Sequence, residues 1–225
     1  MMSVIKAVIF DMFETLITHY DSPLYFGEQM AADIGISNDK FQELWEPSGQ
    51  DRTIGKITLE DMLEIIFIKN NCYSENMLNY VVQKRIRAKE EMFEHLHREI
   101  IPLLDALKKK RILIGLISNC FSEEAMVIKK SILYPYFDVS CLSYDEGLQK
   151  PDVAIFYRCL NQLNVQAREC LYVGDGGDFE LEAAEKLGMK AVQAVWYFKE
   201  DVAWTSKIKS GFKQIETPSD ILQII

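Results

Sequence analysis

Four short apolar runs stand out along the chain: Val4–Phe10, Ile112–Ile117, Cys170–Val173 and Ala191–Val195, with a weaker fifth at Phe137–Leu142. Most are rich in Val and Ile, which suits strands buried on both faces of a parallel sheet better than half-exposed hairpins. Between them the apolar spacing turns helical. It predicts helices over Ile101–Lys110, over Ser122–Ile132 with Ser122 as N-cap and an acidic first turn, over Pro151–Leu163, and over Glu180–Leu187 closed by Gly188. Strand and helix in alternation predict an α/β fold, a doubly wound parallel sheet with right-handed crossovers.

Residues 18–95 break that rhythm. They hold no convincing strand but several helical segments: Leu24–Ile34, Asp39–Trp45, Leu59–Lys69 behind Thr58, and a long one from Glu75 to His97 behind Ser74. Residues 47–55 read as a loop. The expected organisation is an α/β core built from residues 1–17 and 96–225, with residues 18–95 as a small all-helical lid of the kind that covers sites needing protection from water.

Composition narrows the function. There are 34 Asp+Glu against 25 Lys+Arg, a net charge of −9. That balance argues against non-specific nucleic-acid binding, which needs cationic surface, and against a basic membrane-surface protein. No apolar stretch reaches the ~18–20 residues of a membrane span. Cys72, Cys120, Cys141, Cys159 and Cys170 are scattered with no metal-ligand spacing, which suits reduced thiols in a cytoplasmic protein. The expected partner is a small-molecule substrate, and the chain is expected to be a monomer or homodimer.

The chemistry is carried by the residues just after the apolar runs, because ligands of doubly wound sheets bind beyond the carboxyl ends of the strands. The first run leads into Asp11, the second into Ser118-Asn119, and the run Cys170–Val173 into Asp175, with Asp178 and Glu180 close behind. Lys150 stands before a predicted helix. A carboxylate at Asp11 can act as a nucleophile. Asp11, Asp175 and Glu180 together offer the hard oxygen ligands that suit Mg²⁺. Ser118 and the backbone near Asn119 can donate to phosphoryl oxygens, and Lys150 can balance the carboxylates.

These segments resemble the haloacid dehalogenase superfamily of hydrolases. Val8-Ile9-Phe10-Asp11-Met12-Phe13-Glu14-Thr15-Leu16 is similar to its first motif, Ile117-Ser118-Asn119 to its second, and Lys150-Pro151-Asp152 to its third. Val173-Gly174-Asp175-Gly176, with Glu180, Ala183-Ala184 and Gly188-Met189, is similar to its fourth. The resemblance implies a Rossmann-like core with a small helical cap. It implies Asp11 as nucleophile and metal ligand, the Phe13 carbonyl as a further metal ligand, and Ser118 holding the phosphoryl or leaving group. Lys150 would orient Asp11, while Asp175 and Glu180 would complete the Mg²⁺ site, with Asp178 as substitute or support for Glu180.

The pattern also departs from the family. Phosphatases of this group carry a second Asp two residues after the nucleophile as general acid and base; here that residue is Phe13. An aromatic there resembles the dehalogenase branch, which in turn lacks the acidic fourth motif. Three readings are open. One is a Mg²⁺-dependent phosphohydrolase whose leaving group needs no acid, or whose acid comes from Glu14 or His19. Another is a 2-haloacid dehalogenase, whose substrate carboxylate would find its cation in Arg52. The third is a low-turnover regulatory protein that binds metal or phosphate.

Overall fold

The computed structural model describes residues 4–200 and 207–225. Its centre is a sheet of six parallel strands in the order β3-β2-β1-β4-β5-β6. The strands are β1 (Ala7–Phe10), β2 (Leu113–Ser118), β3 (Val139–Leu142), β4 (Cys170–Gly174), β5 (Lys190–Ala194) and β6 (Lys213–Ile215). The order reverses between β1 and β4, so a crevice opens at their carboxyl ends. Side chains of β1 alternate between two separate cores. Val8 and Phe10 pack with Leu103, Leu104 and Ile114 on one face, and Ala7 and Ile9 pack with Phe156, Cys159 and Tyr172 on the other. Burial on both faces explains why the strands read as unbroken apolar runs.

After β1 the insert contributes five helices: α1 (Gly27–Ile34), α2 (Asn38–Trp45), α3 (Gly49–Thr53), α4 (Leu59–Lys69) and α5 (Glu75–Glu91). They enclose a third core of their own, including Met30, Phe41, Leu63, Ile66 and Phe67. The core helices are α6 (Ile100–Lys109), α7 (Ser122–Lys130), α8 (Ser143–Glu146), α9 (Val153–Leu163) and α10 (Glu180–Lys186). Among the described residues no helix is long and apolar enough to cross a membrane.

Several expectations need correction. The segment 47–55 contains a helical turn, α3, held by the Arg52 N–H donating to the Ser48 carbonyl at 2.9 Å and the Thr53 hydroxyl donating to the Gly49 carbonyl at 2.8 Å. Helix α5 stops at Glu91, where a tight turn carries Met92 and Phe93 into the core of the sheet. Phe121, not Ser122, is the N-cap of α7. The Ser122 hydroxyl instead accepts from the Leu59 N–H at the start of α4, 2.9 Å away, so a core residue caps a helix of the insert. Helix α9 starts at Val153 with Asp152 as its cap, behind a cis Lys150–Pro151 bond. Strand β6 has only one fully buried residue, Ile215, and too short an apolar signal to be read.

Candidate active site

Asp11 directly follows β1, and its N–H donates to the Val173 carbonyl of β4 at 2.9 Å. The backbone pairing therefore fixes the carboxylate at the reversal point of the sheet. Asp175 follows β4, and Glu180 opens α10. Carboxylate oxygens of Asp11, Asp175 and Glu180 all lie within 4.8 Å of one another. Gly174 makes this approach possible. A Cβ there would stand 2.0 Å from Glu180 Oε1, so only glycine lets the glutamate lie against the strand end.

Lys150 enters the same cluster. Its ammonium donates to Asp11 Oδ1 at 2.5 Å and also to Glu180 Oε2. Tyr172 Oη donates to Glu180 Oε2 at 2.8 Å, and the Gly176 N–H donates to Oε1 at 3.1 Å. Lys150 is in turn held by Asn119, whose Oδ1 accepts from the Lys150 N–H at 2.8 Å and whose Nδ2 donates to the Lys150 carbonyl at 3.0 Å. Nδ2 also donates to Asp178 Oδ2 at 2.7 Å.

Three carboxylates face one ammonium, and of the four groups only Asp175 is partly exposed. Burial, with added repulsion among the carboxylates, outweighs Lys150 and raises Asp11 to about 6 and Glu180 to about 8. Lys150, though buried, is driven up by Asp11 and Glu180 and stays charged. The set is all oxygen, hard, and short of positive charge, which fits a divalent cation such as Mg²⁺.

The predicted residues do not all converge. Asp11, Phe13, Asn119, Lys150, Asp175, Asp178 and Glu180 line one cavity of about 620 Å³ between the sheet ends and the insert. Ser118 ends β2 but is fully buried, its hydroxyl directed to the Asn119 carbonyl at 3.4 Å, and it does not line that cavity. Asn119 spends its carboxamide on Lys150 and Asp178. Between the two candidate acids, Glu180 is the one inside the cluster.

Arg52 does not line that cavity. It is 3% exposed and its guanidinium lies between the Trp45 ring, 3.6 Å away, and the Phe121 ring, 4.1 Å away. It donates to the Ser48 hydroxyl and the Trp45 carbonyl. Burial lowers it to about 10. Stacked between an insert residue and a core residue, it ties the two together, while its buried Nη1 has no hydrogen-bond partner among the described residues.

The sequence reading missed a second ionic group. Arg85 of α5 donates to Glu123 at 3.1 Å, to Glu124 at 3.2 Å and to the Tyr25 carbonyl at 2.6 Å. Lys89, one turn on, lies 2.8 Å from Glu124 and 2.9 Å from His19 Nε2. His19 Nδ1 lies 2.9 Å from Glu14 Oε1. Burial, then Arg85, lowers Lys89 to about 8. Burial would raise Glu124, but Lys89 and Arg85 prevail and hold it near 2. The i, i+4 spacing of Arg85 and Lys89 on one helix face was the available signal.

A family model for haloacid dehalogenase-like hydrolases matches residues 5–188. Among relatives, N-acylneuraminate-9-phosphatase of Homo sapiens is 28% identical over 107 residues, which is 48% of this chain and 42% of that protein. The chain thus spans less than half the length of that relative. A solved 2-haloacid dehalogenase of Pseudomonas syringae superposes with a TM-score of 0.70 at 18% identity, covering 98% of both chains. An enzyme of Bacteroides thetaiotaomicron, solved with magnesium and inorganic phosphate, gives 0.66 at 18% identity over 89% of this chain and 98% of its own. At such identities the likeness is one of fold.

Proposed function

Since the chain belongs to the haloacid dehalogenase-like hydrolases, over residues 5–188, we propose that it is a Mg²⁺-dependent phosphohydrolase. Its substrate would be a small phosphorylated metabolite, cleaved through a phosphoryl group carried on Asp11. The observation that carries this reading is the buried excess of carboxylate at Asp11, Asp175 and Glu180 around a single Lys150. A dehalogenase has no need to gather a cation beside its nucleophile, and Arg52, the residue that reading relied on, is stacked between Trp45 and Phe121 and does not itself line the cavity.

In this reading Asp11, Asp175, Glu180 and the Phe13 carbonyl would hold Mg²⁺, which supplies the positive charge that lets an anionic phosphate approach an anionic nucleophile. Lys150 favours the ionised form of Asp11 and holds Oδ1, so that Oδ2, 3.4 Å from the Thr15 hydroxyl, would be the attacking oxygen. Asn119 holds Lys150 in place through its backbone. Ser118 would reach a phosphoryl oxygen only by releasing the Asn119 carbonyl. Residues 18–95 act as the lid, with Phe26 and Trp45 closing the cavity. The free thiols at all five cysteines suit a reducing compartment such as the cytoplasm.

The test is release of phenolate from nitrophenyl phosphate with Mg²⁺ and with a chelator. Metal-dependent release is expected, and Asp11→Asn, which keeps the side chain's size, is expected to reduce it to background. Full activity in the chelator, or in Asp11→Asn, would refute the assignment.

A further inference from the structure

Cleaving a phosphate ester leaves an oxygen that must depart as an anion or receive a proton, so the protons around the cavity can be inventoried. The Thr15 hydroxyl lies 3.4 Å from Asp11 Oδ2, and the cavity beside Asp11 is lined by Phe13, whose ring stacks on His19 at 5.1 Å with the planes 22° apart. Behind that ring the ionisable side chains are hydrogen-bonded to one another. The Lys89 ammonium can only donate, so His19 Nε2 accepts from it, and the single ring hydrogen of neutral His19 must sit on Nδ1, facing Glu14. Glu14 also accepts from the Thr18 hydroxyl at 2.6 Å and from the His19 N–H at 2.9 Å. Lys89 gives its other hydrogen bond to Glu124 and otherwise lies over the faces of Phe13 and Phe26, 5.5 and 5.4 Å from their centroids. Arg85 is spent on Glu123, Glu124 and the Tyr25 carbonyl. Asp178 accepts from Asn119. On the other side Lys150 is shared between Asp11 and Glu180.

Resting on the phosphohydrolase reading, we infer that the substrate is a phosphate whose leaving group departs as a resonance-stabilised oxyanion (an acyl, enol or aryl phosphate) and that the phosphorylated Asp11 accumulates during turnover. In the first half an Asp11 oxygen forms a bond to phosphorus as the bond from phosphorus to the leaving oxygen breaks. The electron pair goes with that oxygen, which leaves as carboxylate, enolate or phenolate and meets a proton only in solvent. In the second half a water oxygen bonds to phosphorus, the Asp11–phosphorus bond breaks, and its electron pair returns to the Asp11 carboxylate. The proton that water loses ends on the released phosphate. The same lack of an uncommitted proton carrier among the described residues that restricts the first half slows the second, so the covalent form builds up.

The experiment measures kcat/KM and kcat with Mg²⁺ for aryl phosphates from nitrophenyl to methoxyphenyl, with acetyl phosphate and a simple alkyl phosphate added. kcat/KM, which reports the first half, is expected to fall ~10²–10⁴-fold from the most to the least acidic phenol, the usual worth of a general acid. kcat is expected to stay level among the fast substrates because they share the second half. A burst of phenolate matching the enzyme present, and an acid-quenched chain heavier by one phosphoryl group, are expected with nitrophenyl phosphate. Phe13→Asp, which puts a carboxyl group where the ring stood, is expected to raise the alkyl and methoxyphenyl rates at least ~10-fold and flatten the series. A wild-type series flat to within about threefold would overturn the inference while leaving the phosphohydrolase reading intact. A flat series that turns steep in Lys89→Met would do so too, by making Lys89 the donor. Failure to cleave any phosphate at all would bring down both.

Discussion

Glu124 and Glu180 are both buried, both lie at the first turn of a helix and both face a lysine, yet one is held near 2 and the other is raised to about 8. The difference is the count of partners. Around Glu124, two carboxylates meet two cations, Arg85 and Lys89. Around Glu180, three carboxylates share Lys150. A balanced buried cluster is internally satisfied and fastens the insert to the core. An unbalanced one is satisfied only by something from outside, which is what marks a working site.

The largest effect should come from unbalancing the balanced cluster. Arg85→Met leaves Glu123 and Glu124 with Lys89 alone in a buried position, and breaking such a group costs ~3–5 kcal/mol. Denaturant unfolding is expected to show that loss; a cost under ~1 kcal/mol would mean the cluster is wetter than its burial suggests.

Supplying the missing charge should act in the opposite direction. Because Glu180 and Asp11 are raised, the folded chain holds protons that the unfolded chain has lost, over the window from their ordinary values near 4 up to about 8 and 6. Stability from this source is complete below that window and declines as pH rises through it. Mg²⁺ competes with those protons. Saturating Mg²⁺ at about a hundred times its Kd is expected to add ~2.7 kcal/mol, read as a rise in Tm, at pH 8. At pH 5 the rise should be much smaller, and equal shifts at both pH values would separate the metal from these carboxylates.

A smaller effect is expected from Glu180→Gln. Without Mg²⁺ it removes a repelling charge and should change stability by less than ~1 kcal/mol, against the large loss in Arg85→Met. It should also abolish most of the Mg²⁺-induced rise in Tm. A severe loss of stability in metal-free buffer would instead make Glu180 a structural partner of Lys150 and Tyr172.

The two clusters were unequally visible in the sequence. Asp11 and Asp175 each come at the end of an apolar run, and strands that end at one edge bring such residues together whatever lies between. Glu180 and Lys150 sit at fixed steps from those edges. The pairing of Arg85 and Lys89 with Glu123 and Glu124 has no local mark, because it joins a helix of the insert to a helix beyond β2. Taken alone, Glu123 and Glu124 are an acidic first turn suited to the helix dipole, and Arg85 and Lys89 are a solvated face. Ser122 misled for the same reason: its sequence position suggests a cap on its own helix, while the fold uses it to cap α4. Arg52 was visible as a cation, but the stacking of Trp45 and Phe121 on it is a product of tertiary packing. The sheet itself was visible down to β5, and β6 was lost because a three-residue strand leaves almost no pattern.

The strand order has a consequence for how the protein comes into being. β1 is flanked by β2 and β4, so the segment carrying Asp11 is made before both and gains its second neighbour only once Gly174 has been made. At typical synthesis rates that wait is on the order of ten seconds. In the interval helices α1–α5, which own a separate core, can condense first, while Ala7–Phe10, wholly buried in the finished molecule, can pair only with β2. Asp11 is thus made well before the strand that completes its placement. The strand before Asp11 is the part of the nascent chain in greatest need of shelter from other chains.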